Sequence, residues 1–171
     1  PLENAFSLSS GELELYKWMS QYYHYSLGKL IFDCLPKILK RPRKPDFIQG
    51  VGEPLGFEFN TEQLQALSQI ESKGLNKFSQ HFVHGVTGSG KSAIYLKLMR
   101  DVLDTGKSVQ FLLPEINLTP QFTNMFATHL NCRVFTYHSG VTPSEKYNIW
   151  KTLNEESEPV LVMGVRSSIF L

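Results

Sequence analysis

A chain of 171 residues with 17 basic and 16 acidic side chains carries a formal charge of only +1. That balance excludes a broadly basic nucleic-acid coat, so any nucleic-acid surface has to be local. No apolar run reaches membrane-spanning length and no signal-peptide pattern opens the chain, while the two distant cysteines, Cys34 and Cys132, fit reduced cytoplasmic thiols rather than a disulfide framework.

The sequence starts at Pro1 and stops at Leu171 without a polar tail, which suits a piece of something longer. Ser9-Ser10-Gly11-Glu12 reads as a capping box, with Leu15, Trp18, Met19 and Tyr22 behind it on one helical face. Leu27, Leu30, Ile31 and Cys34 repeat that spacing up to Pro36, so a second short helix is expected. The cluster Tyr16, Trp18, Tyr22, Tyr23 and Tyr25 is either a platform for stacking bases or ordinary core, and the spacing favours core. Residues 1–36 form the helical segment.

Residues 37–56 read as an exposed linker. Lys37, Lys40, Arg41, Arg43 and Lys44 alternate there with Pro36, Pro42 and Pro45, and Gly50, Gly52, Pro54 and Gly56 follow. Five phosphate contacts would make log K fall by roughly 4 to 5 per decade of salt at ~0.9 each. A solvated hinge reads equally well.

The second domain spans 57–171. Asn60-Thr61-Glu62-Gln63 offers an N-cap ahead of Leu64, Leu67 and Ile70. Gln80–Val83 is short and partly apolar and suits a buried strand. Next comes His84-Gly85-Val86-Thr87-Gly88-Ser89-Gly90-Lys91-Ser92, which reads Gly-x-x-x-x-Gly-Lys-Ser, and then a helix through Ala93, Ile94, Leu96, Leu98, Met99, Val102 and Leu103. Glycines at 85, 88 and 90 let successive N–H groups converge on one anion at a helix N-terminus. Lys91 supplies charge for the β- and γ-phosphates and Ser92 a hydroxyl for Mg²⁺. The competing reading is a Gly/Ser surface turn, which the flanking strand and helix argue against.

Val109–Leu113, Arg133–Tyr137 and Val160–Met163 read as further strands. Helices opened by Thr119-Pro120 and by Thr142-Pro143, with Glu145 completing a capping box, alternate with them. Strand–helix alternation predicts an α/β fold, a parallel sheet with helices on both faces. The strand ends carry Gly85–Ser92, Pro114-Glu115, His138-Ser139-Gly140 and Gly164-Val165-Arg166-Ser167, and such ends are where open α/β sheets gather function. His81 and His84 fall on opposite faces of their strand and the other histidines are isolated, so no metal cluster is expected.

Together these motifs resemble the first RecA-like lobe of superfamily 2 helicases. More closely, His84–Ser92, Leu113–Gln121, His138–Gly140 with Ser144-Glu145 and Trp150, and Gly164–Ser167 resemble the primosomal replication-restart helicase family. Trp18–Tyr23 with Ser26-Leu27-Gly28 is similar to the end of that family's 3′-end DNA-binding domain. The resemblance implies an ATP-dependent 3′–5′ DNA helicase of the cytoplasm. Gly85, Val86, Thr87, Gly88, Ser89, Gly90, Lys91 and Ser92 would hold ATP and, through Ser92, Mg²⁺, with Lys91 the catalytic cation and Gln63 reading adenine.

It further implies that Pro114, Glu115, Thr119, Gln121, Arg166 and Ser167 track DNA. For Glu115 and for His138 a structural role reads equally well. Single-stranded and forked DNA, other primosome proteins and single-strand-binding proteins would be the partners, with no membrane. Zinc is implied for the family but not for this segment. Asn117, Val165 and Ser92 depart from the usual Gly, Thr and Thr, and residues 37–56 stand where the family inserts a winged-helix domain. The Asp-Glu-x-His motif and the second lobe's arginine are not in the sequence, so the segment alone should bind nucleotide weakly without turnover. A non-catalytic DNA- or fork-binding module on a degenerate lobe is the alternative; a small kinase or GTPase would leave Pro114–Gln121 and Gly164–Ser167 unexplained.

Overall fold

The structure, a computed structural model, describes residues 8–36, 45–74, 77–114, 119–155 and 157–171. In chain order the elements are α1 (Ser10–Tyr22), α2 (Leu27–Cys34), β1 (Ile48–Gln49), α3 (Thr61–Ser72), α4 (Lys91–Asp104), β2 (Val109–Leu112), α5 (Pro120–His129), β3 (Arg133–Tyr137), α6 (Pro143–Glu155) and β4 (Val160–Gly164). A 3₁₀ turn, Arg166–Phe170, closes the chain.

The sheet runs β1-β3-β4-β2. β4 is its spine, parallel to both neighbours, with Leu161 opposite Val109 on one side and Val134 on the other. All five residues of β4 are buried, as a continuous apolar run flanked on both edges requires. Because side chains alternate across a strand, the sheet feeds two cores. Val134, Leu161 and Met163 pack with Leu96, Met99 and Leu103 of α4 and Phe126 and Ala127 of α5. Phe135, Tyr137, Val160 and Val162 pack with Ile149 of α6 on the opposite face. This is the mixed α/β lobe expected from the alternation.

Helix starts follow the sequence closely. The Ser9 hydroxyl accepts from the Glu12 N–H at 3.2 Å while the Ser9 N–H donates to Glu12 Oε2 at 2.7 Å. Asn60 with Gln63 and Thr142 with Glu145 build the same reciprocal cap. The Thr119 hydroxyl accepts from Phe122 N–H at 3.2 Å, and Pro120 occupies the first helical position.

Three expectations are corrected. Gln80–Val83 takes no place in the sheet: it has no ladder partner among the described residues, and Phe82 is 90% exposed. An apolar run becomes a strand only beside a neighbour that completes its hydrogen bonds. The aromatic cluster is not core either. Only Tyr16 is buried, its ring stacked on Phe170 at 6.2 Å, whereas Trp18, Tyr22 and Tyr23 are each more than half exposed. Trp18 and Tyr22 stand two and six positions beyond Tyr16, about 200° and 240° around the helix, so docking on Tyr16 turns those two rings outward, and Tyr23 is the cap that ends α1. Finally, residues 45–56 do not hang free. Pro45 is buried, β1 pairs antiparallel with β3, and the N–H groups of Gly50, Val51 and Glu53 bond to the carbonyls of Cys132, Ala127 and Thr128 at 2.8 to 2.9 Å. The basic run Lys37–Lys44 lies outside the described residues.

The buried Tyr16 hydroxyl is pushed up to about 12, by burial first and then by Cys34 and Glu12. A raised phenol pKa favours the neutral ring in the fold. Its contribution is complete below the ordinary value of 10.0 and is lost as pH climbs through the folded value. Melting followed from pH 9 upward should therefore lose stability across that window, and Tyr16→Phe should lose less. The remaining loss falls to Tyr137, Cys34 and Cys132, all raised by burial.

Candidate nucleotide and DNA site

The glycine loop enters α4 through two backbone turns that favour glycine, Gly88 at φ +82° and Gly90 at φ +80°. Gly90 is the N-cap, and a Cβ there would run into the Gln63 amide. A Cβ on Gly85 would meet Ser89 Oγ at 2.6 Å. Within the loop the Ser89 N–H is spent on Val86 O at 3.2 Å, whereas the N–H groups of Thr87, Gly88 and Gly90 make no backbone hydrogen bond among the described residues. Those amides and the positive end of a fourteen-residue helix are what an anion needs.

Lys91 opens α4 and its ammonium turns back over the loop, donating to Gly85 O at 2.7 Å and Val86 O at 2.8 Å. The ammonium thus sits where the loop begins while its own helix starts where the loop ends. Ser92 is exposed, and its hydroxyl has no partner among the described residues. The donor set, main-chain amides, one ammonium and one hydroxyl, fits a polyphosphate and the divalent ion that travels with it. Among the described residues no group of three His, Cys, Asp or Glu side chains is built to hold a metal alone.

Gln63 has two tasks. Its Oε1 accepts from Asn60 N–H at 2.9 Å to complete the α3 cap, and its Nε2 faces Ser89 O at 3.3 Å and Gly90 O at 3.5 Å. Phe57, Glu58 and Asn60 join Gln63 and the loop around an open cavity of 410 Å³. Phe57 and Glu58 were not singled out from sequence, and Asn60 was read there only as a helix cap. The signal was weak, an aromatic at the end of a glycine-rich stretch that read as linker.

A second cavity, 630 Å³, opens at the carboxyl ends of β2 and β4. Leu112, Leu113 and Pro114 form one wall, and Val165, Arg166 and Ser167 the other. Two motifs more than fifty positions apart in sequence thereby face each other. A backbone bond ties the two sides, Leu113 N–H to Gly164 O at 2.8 Å; the Gln110 side chain donates through Nε2 to Ser168 O, and Val165 N–H donates to Tyr137 O at the end of β3 at 3.1 Å. The Val165 amide is therefore spent inside the fold. Gly164 is required, since a Cβ would strike the buried Ser168 side chain and come to 2.9 Å from Tyr137 O. Arg166 and Ser167 stay exposed.

Thr119 and Gln121 lie at the start of α5 and are not among the described residues lining this groove. Glu115 lies outside the described residues. His138, at the end of β3, uses Nδ1 to accept from Gly140 N–H at 3.1 Å, a turn-closing role.

A mostly parallel α/β sheet with a glycine loop at a helix start and a groove at its strand ends defines the class, a partial RecA-like helicase lobe. Residues 56–168 match the family model described as type III restriction enzyme, res subunit. Over 96 residues, 56% of this chain and 11% of the relative, it is 45% identical to the replication restart protein PriA of Synechocystis. The Bacillus subtilis PriA is 41% identical over 119 residues (69% of this chain, 14% of the relative), and the Rickettsia felis PriA 36% identical over 166 residues (96% and 25%). The chain belongs to the PriA family, and it spans a quarter or less of the length of these relatives. No helix among the described residues is long and apolar enough to cross a membrane.

Proposed function

We propose that this segment is the nucleotide-gripping part of the first motor lobe of an ATP-dependent 3′–5′ DNA helicase that acts in replication restart in the cytoplasm. Gly85–Ser92 would hold the phosphates of ATP, with Lys91 countering their charge and Ser92 completing the Mg²⁺ shell. Gln63, beside the 410 Å³ cavity, would read the base. The groove between Pro114 and Arg166-Ser167 would carry single-stranded DNA, with Thr119 and Gln121 further along; Glu115, outside the described residues, is assigned to the same path by the family resemblance.

The observation that carries this reading is the pairing of one loop with one groove. Three unspent amides and an ammonium stand at the start of α4, and a trench walled by Arg166 stands at the strand ends of the sheet that α4 packs against. Exposed arginine and hydroxyl groups suit phosphate contacts that position a strand without reading its bases. Hydrolysis also needs an acid to orient water and an arginine from a second lobe, so binding without turnover is expected of these residues alone. Forked DNA, primosome proteins and single-strand-binding protein would be partners of the whole enzyme.

The test is titration of the 171-residue chain with MgATP by calorimetry and with labelled oligothymidylate by anisotropy. Both should bind, and Arg166→Gln should reduce the salt slope for DNA by about 0.7, one single-strand phosphate contact. Binding of neither ligand would overturn the proposal. DNA binding without any nucleotide binding would favour a non-catalytic DNA-binding module instead.

A further inference from the structure

The trench does not end at Ser167. The same residue lines a further cavity of 380 Å³ behind the 3₁₀ turn, where the α1–α2 hairpin meets the lobe. Cys34 and Pro36 wall it from the hairpin side, and Tyr137, Lys146 and Phe170 from the lobe. Its volume lies in the range of small-molecule sites, ~300–1,000 Å³.

The lining mixes flat apolar surface with one unpaired cation. The Lys146 ammonium stands 5.2 Å from the centre of the Tyr137 ring, and no carboxylate pairs with it among the described residues. The carboxylate in this wall, Asp33, accepts the Tyr25 hydroxyl at 2.9 Å. Rings and a proline offer a stacking surface, and a lone ammonium beside them offers a phosphate partner.

We propose that this cavity is a second subsite for single-stranded DNA, taking a base against Pro36 and Phe170 with its phosphate on Lys146. The strand would run from the trench past Ser167 into the hairpin junction, so the helical segment and the lobe would grip one continuous strand. The inference rests on the reading of the Pro114–Arg166 trench as a DNA path, because continuity through Ser167 is what brings a strand here.

Cys34 supplies a built-in reporter. It lines the cavity and is half-buried, while the second cysteine, Cys132, is 5% exposed and packed in the core. Maleimide labelling of the 171-residue chain would be followed with and without an oligothymidylate of about twelve nucleotides, inside the ~4–16 range of single-strand grooves. At about ten times Kd, Cys34 labelling should slow roughly ten-fold, the factor mass action sets for a covered thiol. Lys146→Gln should cut the salt slope of binding by about 0.7 and weaken the protection, and Lys146→Arg should restore both. Unchanged slow labelling of Cys132 checks that each variant is folded.

If anisotropy shows the oligonucleotide bound while Cys34 labels at its free rate, the subsite is refuted and the trench reading stands. If the oligonucleotide does not bind at all, both fall. Protection that survives Lys146→Gln with an unchanged salt slope would also overturn the assignment, because the phosphate would then lie elsewhere.

Discussion

Lys91→Ala is expected to weaken MgATP binding by roughly 30- to 1,000-fold, the loss of about 2–4 kcal/mol from one or two charge-assisted hydrogen bonds. The reasoning is local. Lys91 is the ammonium that reaches the loop carbonyls, at 2.7 and 2.8 Å, and neither Ser92 nor any backbone amide carries a full charge to replace it. Lys91→Arg should recover only part of the affinity, because a planar fork does not present a compact point charge at the same place. The alanine variant should melt within about 4 °C of the parent, since about 1 kcal/mol moves the midpoint of a chain this size by ~2–4 °C and the side chain is only half-buried. Calorimetric titration read beside a melting curve separates the two effects. Unchanged affinity in a well-folded variant would remove the nucleotide from this loop.

The second large effect is structural. Gly50 leaves β1 so close to the lobe that a Cβ would overlap the Leu130 carbonyl oxygen, lie 2.7 Å from Cys132 O and 3.1 Å from Ala127 O. All three neighbours are backbone, so no side chain can rotate away. Gly50→Ala therefore forces the strap off α5 and β3 and endangers the three hydrogen bonds from Gly50, Val51 and Glu53. At about 1 kcal/mol each the loss approaches ~3 kcal/mol, and the midpoint should fall by roughly 6–12 °C. Gly28→Ala makes the opposite control: it sits in α2 with nothing within 4 Å of a new Cβ, and should gain ~0.5–1 kcal/mol. Scanning calorimetry on the two variants would show whether the strap belongs to the lobe; a Gly50→Ala midpoint equal to the parent's would mean that it does not.

What could be read without coordinates was local chemistry. The reciprocal caps at Ser9, Asn60 and Thr142 depend on residues three apart, and the sheet strands at Val109, Arg133 and Val160 on short apolar runs between turn signals. The loop at Gly85–Ser92 is legible for the same reason, because its spacing encodes its own geometry. What resisted reading was long-range. Ile48 and Gln49 form a strand because Val134 and Arg133 lie opposite them, a partner more than eighty positions away that no window over a Pro/Gly-rich stretch contains. Gln80–Val83 has the composition of a strand and finds no strand neighbour among the described residues. Tyr16 is buried through Phe170, at the far end of the chain, so a helical stripe that looked like core turned its other rings to solvent. The groove wall of Leu112 and Val165 is of this kind too, two strand ends brought side by side because β2 pairs directly with β4.

The order of strands has a further consequence. On one flank the sheet finishes in two residues of β1, after which Gly50 and Val51 turn their N–H groups toward Cys132 and α5, so that margin is blunted. On the other flank β2 gives one side to β4, and no described strand takes the other. Among the described residues, the longer strand edge left without a partner is therefore that of β2, Val109–Leu112.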